Sequence, residues 1–216
     1  IVGVLGRNAL GKTTMARILA GELVPNLCNP EGGSSREEVI KQFRGTELHT
    51  YFSELYNNKL RAVHKIQYIE LIPLYLKGTV GDIIKKAGIR DELVKRFGLD
   101  KLVSREINKL SGGELQKLAI AAALSKDADV YIFDEPATHL DVVERVKVGD
   151  AIREYTQNKY VLVVEHDLTV LDFLADNVVI VYGKPGAYGI VSHPGGAREA
   201  VNEYLSGYIS SENMRI

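Results

Sequence analysis

The chain predicts an α/β domain whose mainly parallel sheet is covered on both faces. Three near-continuous apolar runs, at 1–5, 130–133 and 160–164, read as buried strands. Segments with helical periodicity separate them, the pattern of strand–helix–strand units. Polar residues with chemical potential follow the strand ends directly: Gly6 to Thr13, Asp134-Glu135 and His166. Ligands of parallel sheets gather at the carboxyl ends of strands, so one crevice can hold all three.

In chain order, residues 1–5 form the first strand and 13–22 the helix after it. Residues 23–35 contain Pro25, Asn26, Asn29, Pro30, Gly32 and Gly33 and read as a long loop. Ser34-Ser35-Arg36-Glu37-Glu38 opens a helix, with carboxylates in the first turn where the macrodipole favours them. Val39, Ile40 and Phe43 continue it, and Gly45-Thr46 breaks it. Residues 47–56 form a second helix with Leu48, Tyr51, Phe52 and Leu55 on one face. A helix–loop–helix insertion therefore occupies 36–57, closed by Asn57-Asn58.

Leu60, Ala62 and His64 alternate in a strand that runs to Gln67, and two short helices between 80 and 97 are split by Gly88. Residues 110–116 open a strong helix through Leu124. The strand at 130–133 leads through a helix at 142–155 to the strand at 160–164. A short helix at 168–175, a strand at 178–182, a hairpin return at 186–191 and an amphipathic helix at 197–205 complete the pattern. The core lobe takes 1–67 and 129–207, a helical lobe takes 68–128, and 208–216 runs out of the domain.

With 216 residues, 45% hydrophobic and 25% charged, the chain suits one globular domain. A net charge of −1 excludes a uniformly basic nucleic-acid binder, though not a local basic patch. The single cysteine, Cys28, excludes an intrachain disulfide and fits a reducing cytoplasm. No run approaches the ~20 apolar residues of a membrane span. The chain starts at Ile1 within a strand and stops without punctuation, which reads as an excerpt of a longer polypeptide.

Gly6-Arg7-Asn8-Ala9-Leu10-Gly11-Lys12-Thr13, between strand and helix, has the context a phosphate-binding P-loop requires. Glycines let the backbone wrap phosphate oxygens closely. The N–H groups from Asn8 through Thr14 would point inward as a nest at the positive end of a helix. Lys12 would set a mobile charge on the β- and γ-phosphates, and the Thr13 hydroxyl is a hard oxygen ligand for Mg²⁺. Asp134, at the end of an apolar strand, would hold Mg²⁺, and Glu135 would polarise the attacking water. A strand-end carboxylate is also an ordinary helix cap, and the P-loop decides for the functional reading. In Leu110-Ser111-Gly112-Gly113-Glu114-Leu115-Gln116, two glycines open a helix toward an anion, with the Ser111 hydroxyl as a further donor.

That last string resembles the signature motif of the ABC ATPase family, and the resemblance covers nearly the whole chain. It implies an ABC-type nucleotide-binding domain with a parallel P-loop core, a helical signature subdomain and the 36–57 insertion. It implies ATP and Mg²⁺ as ligands. It also implies that Ser111, Gly112, Gly113 and Glu114 serve ATP held by a second nucleotide-binding domain. By the same resemblance, Gln67 is the Q-loop glutamine that touches Mg²⁺ and senses the γ-phosphate. Leu140-Asp141 is the D-loop facing the partner domain, and His166 is the switch histidine. One domain alone is then expected to bind ATP and to hydrolyse it very slowly.

Phe43-Arg44-Gly45-Thr46-Glu47-Leu48, the segment His64 to Ile69, Val163 to Leu168, and Glu212-Asn213-Met214-Arg215 are similar to the first nucleotide-binding domain of the RNase L inhibitor family, in its archaeal wording. This resemblance implies a cytoplasmic twin ATPase that binds the small ribosomal subunit, through rRNA and protein, and splits ribosomes after termination. It further implies a second nucleotide-binding domain, a release factor as partner and an iron–sulfur domain outside this chain. Arg44, His49, Lys59, Arg61, His64 and Lys65, interleaved with Tyr51, Phe52 and Tyr56, are the residues that could meet RNA phosphates.

The chain departs from the family in four places. Ala9 and Cys28 stand where glycine is usual, Arg7 adds charge beside the phosphates, and His139 stands where tyrosine is common. None removes a catalytic group. The rival reading is the ATPase subunit of a membrane transporter, which shares every core motif but should lack the insertion and offer a groove near Gln67. A chromosome-structure ATPase needs a coiled coil between Gln67 and the signature, and 68–109 is too short for one. A non-catalytic module would not need Lys12, Glu135 and His166 together.

Overall fold

Every strand expected to be parallel lies in one sheet. The computed structural model describes residues 1–29 and 32–216, so Pro30 of the loop at 23–35 lies outside the described residues. Strands β1 (Val2–Gly6), β2 (Ala62–Lys65), β3 (Val130–Asp134), β4 (Tyr160–Val164), β5 (Asn177–Lys184), β6 (Tyr188–Val191) and β7 (Gly195–Gly196) form it among the described residues. The order is β2-β3-β4-β1-β5-β6, parallel from β2 through β5, with β6 and β7 antiparallel to β5.

Helices fill the crossovers: α1 (Lys12–Leu19), α2 (Arg36–Gln42), α3 (Glu47–Tyr56), α4 (Ile72–Tyr75), α5 (Val80–Ala87), α6 (Asp91–Arg96), α7 (Gly112–Ser125), α8 (Val142–Tyr155), α9 (Leu168–Leu174) and α10 (Ala197–Ser206). Alternate residues of β3 explain its unbroken apolar run. Tyr131 and Phe133 pack with Leu118, Ile120, Leu124 and Ile152 of α7 and α8. Val130 and Ile132 join Val4 and Ala16 on the opposite face, beneath α1. Both faces are dry, so alternation with polar residues is absent.

The insertion follows from its capping chemistry. The Ser35 hydroxyl accepts from the Glu38 N–H while Glu38 accepts from the Ser35 N–H, a complete capping box. Phe52 and Leu55 of α3 then meet Val39 of α2, and Ile18 of α1 closes the cluster. The Tyr51 hydroxyl donates to the Leu19 carbonyl at 2.6 Å, fastening α3 to the end of α1.

Three expectations are corrected. Helix α1 stops at Leu19, not at 22, because Gly21 turns the chain at φ 74°. Strand β2 ends at Lys65, and Gln67 lies in the following turn, where its carbonyl accepts from the Ile69 N–H. A 3-10 turn (Ile69–Leu71) and α4 follow, without a periodic pattern long enough to announce them. Leu48 is 40% exposed, because the short surface of α1 and α2 meets only the later turns of α3. A last hairpin, β8 (Tyr208–Ile209) with β9 (Met214–Arg215), buries Ile209 against α10 and was not foreseen.

Phe52→Ala should therefore cost about 3–5 kcal/mol of stability, whereas Leu48→Ala should stay within about 0.5 kcal/mol. Denaturant melts of the two variants check this.

Candidate functional site

The loop from β1 to α1 is built for an anion. Gly11 sits at the start of α1 with φ 86° and no side-chain cap, which leaves the first N–H groups free to point outward. A Cβ on Gly6 would lie 2.4 Å from the Val181 carbonyl, so only glycine lets the loop leave the sheet here. The β5–β6 hairpin clasps the loop from outside. The Gly186 N–H donates to the Ala9 carbonyl at 2.8 Å, and a Cβ on Gly189 would meet the Leu10 carbonyl at 2.2 Å. The sequence offers Gly186 and Gly189 only as hairpin residues, and nothing local in it points to the loop.

Lys12 is buried, and its Nζ donates to the Gly6 and Arg7 carbonyls at 2.8 Å each. Burial lowers its pKa while Glu135 and Asp134 oppose that shift. Asn8, Ala9, Gly11, Lys12, Thr13 and Thr14 line a cavity of about 580 Å³. Gln67, Tyr68, Glu135, Val164 and His166 complete its wall. Leu10 is buried beneath the loop and contributes through its backbone.

Glu135 is the hub of that wall. Its Oε1 accepts from Gln67 Nε2 at 2.6 Å and lies 3.5 Å from His166 Nε2, and its Oε2 accepts from the Thr138 hydroxyl at 3.2 Å. The Thr13 hydroxyl reaches the Gln67 amide oxygen at 3.5 Å. His166 is held below its ordinary pKa, first by burial and then by the Lys12 charge. Its imidazole is therefore neutral at pH 7 and offers one donor and one acceptor.

Three supporting residues were not foreseen. Glu165 is buried and accepts from the N–H groups of Ala137, His166 and Asp167, tying the turn after β4 to the turn after β3. Burial raises its pKa. Lys65 is buried, its pKa pushed down to about 8 by desolvation, and it donates to the Asp134 and Glu135 carbonyls. Gln116 donates to the Glu135 carbonyl at 2.7 Å. Each has a charged or polar neighbour in sequence, so local pattern gives no sign of the buried network they form.

Asp134 tests whether a cation fits. It is fully buried, its pKa is raised by desolvation, and its oxygens make no full hydrogen bond, the Thr13 hydroxyl beside them only partly offsetting that shift. A buried carboxylate without full hydrogen bonds is costly and calls for a cation. The Thr13 hydroxyl and Gln67 amide oxygen are the neighbouring hard ligands. Among the described residues no three His, Cys, Asp or Glu side chains converge on a metal. This donor set fits Mg²⁺, which takes few protein ligands and completes its shell with phosphate and water.

The second anion-binding helix start lies elsewhere. None of Ser111, Gly112, Gly113 or Glu114 lines the cavity. Ser111 caps α7, its hydroxyl accepting from the Glu114 N–H, while Glu114 accepts from the Ser111 N–H and pairs with Arg105. The Ser111 side chain also hydrogen-bonds the Glu114 carboxylate and helps hold its pKa down. Asp141 caps α8 by accepting from the Glu144 N–H, with its other oxygen free. His139, at φ 65°, lays its ring against Gly112, where a Cβ would be 2.8 Å away, and its Nε2 is 2.5 Å from Glu70 Oε1. A cleft as large as the first lies between α3 and the sheet, but it is apolar apart from Glu47, Thr50 and Glu54 at its edge.

Two anion-binding helix starts, only one of them on the cavity, are what a pair of such domains would share. The family model for ABC transporters matches residues 1–138. The chain belongs to the ABC ATPase family.

This ABC domain is 49% identical, over its whole length, to 36% of an ABC transporter ATP-binding protein of Methanocaldococcus jannaschii. It is 43% identical, again over its whole length, to 37% of the translation initiation factor RLI1 of Saccharomyces cerevisiae. It thus spans little more than a third of the length of these two relatives. Among solved structures, 99% of the ABC domain superposes at a TM-score of 0.93 and 50% identity on 42% of an archaeal ribosome recycling factor, solved with the archaeal ribosomal stalk protein aP1.

Of the departures from the family, Ala9, Cys28 and His139 all carry left-handed φ, and Ala9 is the one inside the phosphate loop. It has φ 62°, where an L-residue is disfavoured by roughly 1–2 kcal/mol. Ala9→Gly in the ABC domain should raise stability by about 0.5–1 kcal/mol, the strain relief less the entropy of glycine. A higher melting temperature with unchanged ATP affinity is the expected result.

Proposed function

We propose that this domain hydrolyses ATP as one half of a composite site, and that its protein is a cytoplasmic ribosome-recycling factor. One observation carries the first part: Gln67, Glu135 and His166 share a cavity with Lys12 and Thr13, while none of Ser111, Gly112, Gly113 and Glu114 lines it. The γ-phosphate would therefore need a signature from a second nucleotide-binding domain.

In this reading the P-loop N–H groups and Lys12 bind the phosphates. Thr13, Gln67 and Asp134 would hold Mg²⁺, which when bound offsets charge on the β- and γ-phosphates. Glu135 takes the proton from, or aligns, the water that attacks the γ-phosphorus, and the bond to the bridging oxygen of ADP breaks. Neutral His166 hydrogen-bonds the γ-phosphate and fixes the position of Glu135. Asp141 faces the partner domain.

The names of the relatives support the second part: a translation initiation factor and an archaeal ribosome recycling factor. So does the presence of α2 and α3, which a transporter subunit should lack. No described helix is long and apolar enough to cross a membrane. The side chains after Gln67 favour the transporter reading: Tyr68, Leu71, Leu74 and Tyr75 are exposed and could meet a coupling helix.

The structure narrows the residues available to rRNA. Lys65 is buried, Arg61 pairs with Asp127, the His64 side chain is covered and meets Glu22, and Phe52 is core. Lys41, Arg44 and His49 remain together on the outer face of the insertion, with Lys59 exposed beyond them. A release factor and an iron–sulfur domain are partners of this reading by family resemblance.

Full-length Glu135→Gln protein should lose about 10²–10⁴-fold in hydrolysis and co-sediment with small ribosomal subunits in ATP. The added changes Lys41→Glu and Arg44→Glu should weaken that binding. Absence of nucleotide-dependent binding would overturn the ribosomal reading in favour of the transporter one. Normal hydrolysis by Glu135→Gln would remove Glu135 from the chemistry.

A further inference from the structure

Glu135 adopts a backbone conformation at odds with its sequence. Its φ is 47°, in the left-handed region that costs an L-residue with a long side chain. Pro136 follows, and proline restricts the residue before it to extended conformations. Such strain persists only where the surroundings over-determine it.

Two buried side chains do this. Lys65 Nζ donates to the Asp134 carbonyl at 2.8 Å and to the Glu135 carbonyl at 3.2 Å. Gln116 Nε2 donates to the same Glu135 carbonyl at 2.7 Å. Lys65 is 3% exposed and Gln116 is fully buried, and neither lines the nucleotide cavity. A single carbonyl thus receives two side-chain donors, one from the end of β2 and one from α7, besides the Thr138 N–H at 3.5 Å.

We propose that Lys65 and Gln116 are positioning residues for ATP hydrolysis, which hold the strained Glu135 peptide so that its carboxylate faces Gln67 and His166. Released from them, Glu135 would relax toward negative φ. Its Oε1 would then leave the position 2.6 Å from Gln67 and 3.5 Å from His166. A residue that only stabilised the fold would have no need to direct its donors onto the strained peptide that carries the candidate catalytic carboxylate. A buried ammonium is also a poor stability device, since its desolvation offsets its attractions.

Gln116 adds a consequence. It lies one turn beyond the signature glycines, on the helix that Ser111 caps. Any displacement of α7 therefore moves a donor on Glu135. On the composite-site reading, which this point rests on, contact between Ser111 and the other domain's nucleotide is transmitted through Gln116 to the catalytic carboxylate of this domain.

The test uses full-length protein with its other nucleotide site silenced, carrying Lys65→Met or Gln116→Met. Each should lower kcat about ten-fold, the scale of one lost hydrogen bond, with ATP affinity held within about two-fold. In a Glu135→Gln background, where no carboxylate remains to be aimed, neither should lower the residual rate further. Unchanged kcat in both variants, a matching loss of ATP affinity, or the same loss in the Glu135→Gln background would overturn the proposal. Should Lys65→Met not fold, Gln116→Met decides alone, since it exchanges one neutral side chain for another of similar size. The rate of Glu135→Gln itself, measured alongside, reports separately on the ATPase reading.

Discussion

The placement of β4 between β3 and β1 is the constraint on which the site depends. Because all three strands run parallel, their carboxyl ends open on one edge of the sheet. The P-loop, Asp134-Glu135 and His166 meet there although more than 120 residues separate the first from the second. The pairings fix the geometry further: Val164 is level with Val4 of β1 and with Asp134 of β3. A slip of one residue in any of these ladders would turn Asp134 out of the crevice, since side chains alternate between faces.

Opposite charges are set close together around that edge. Lys12 and Lys65 lie beneath the carboxylates of Asp134, Glu135 and Glu165, and the two lysines spend their donors on main-chain carbonyls. Burial disfavours the charged form of both lysines and of Asp134 and Glu165, and the opposite charges partly offset it. Such a site is costly to keep in the fold and is accounted for by the triphosphate and cation it fits. The Asp134 carboxylate is the clearest sign, because no group of the chain makes a full hydrogen bond to it and burial still raises its pKa.

Much of this was legible in the sequence because it is local. The P-loop, the strand-end carboxylates, the signature and the capping box at Ser35 each depend on residues a few positions apart. What stayed hidden depends on contacts between distant segments. Lys65 reads as one more basic residue near an insertion, yet it is drawn inward by carbonyls some seventy positions later. Glu165 reads as a neighbour of His166, yet it braces the turn after β3. The left-handed φ of Glu135 contradicts the residue before a proline and could not be inferred from propensity. Leu48 followed the helical pattern of α3, but periodicity does not say how long the surface opposite it is.

The division of the two phosphate-binding helix starts is the central claim, and a structure of the full-length protein with Mg²⁺ and a non-hydrolysable ATP analogue tests it most directly. The account predicts one nucleotide on Lys12 and Thr13 with its γ-phosphate at His166, and Ser111 on a different nucleotide held by the second domain. Lys12 and Ser111 of this domain contacting the same nucleotide, or a γ-phosphate remote from His166 in the closed form, would contradict it.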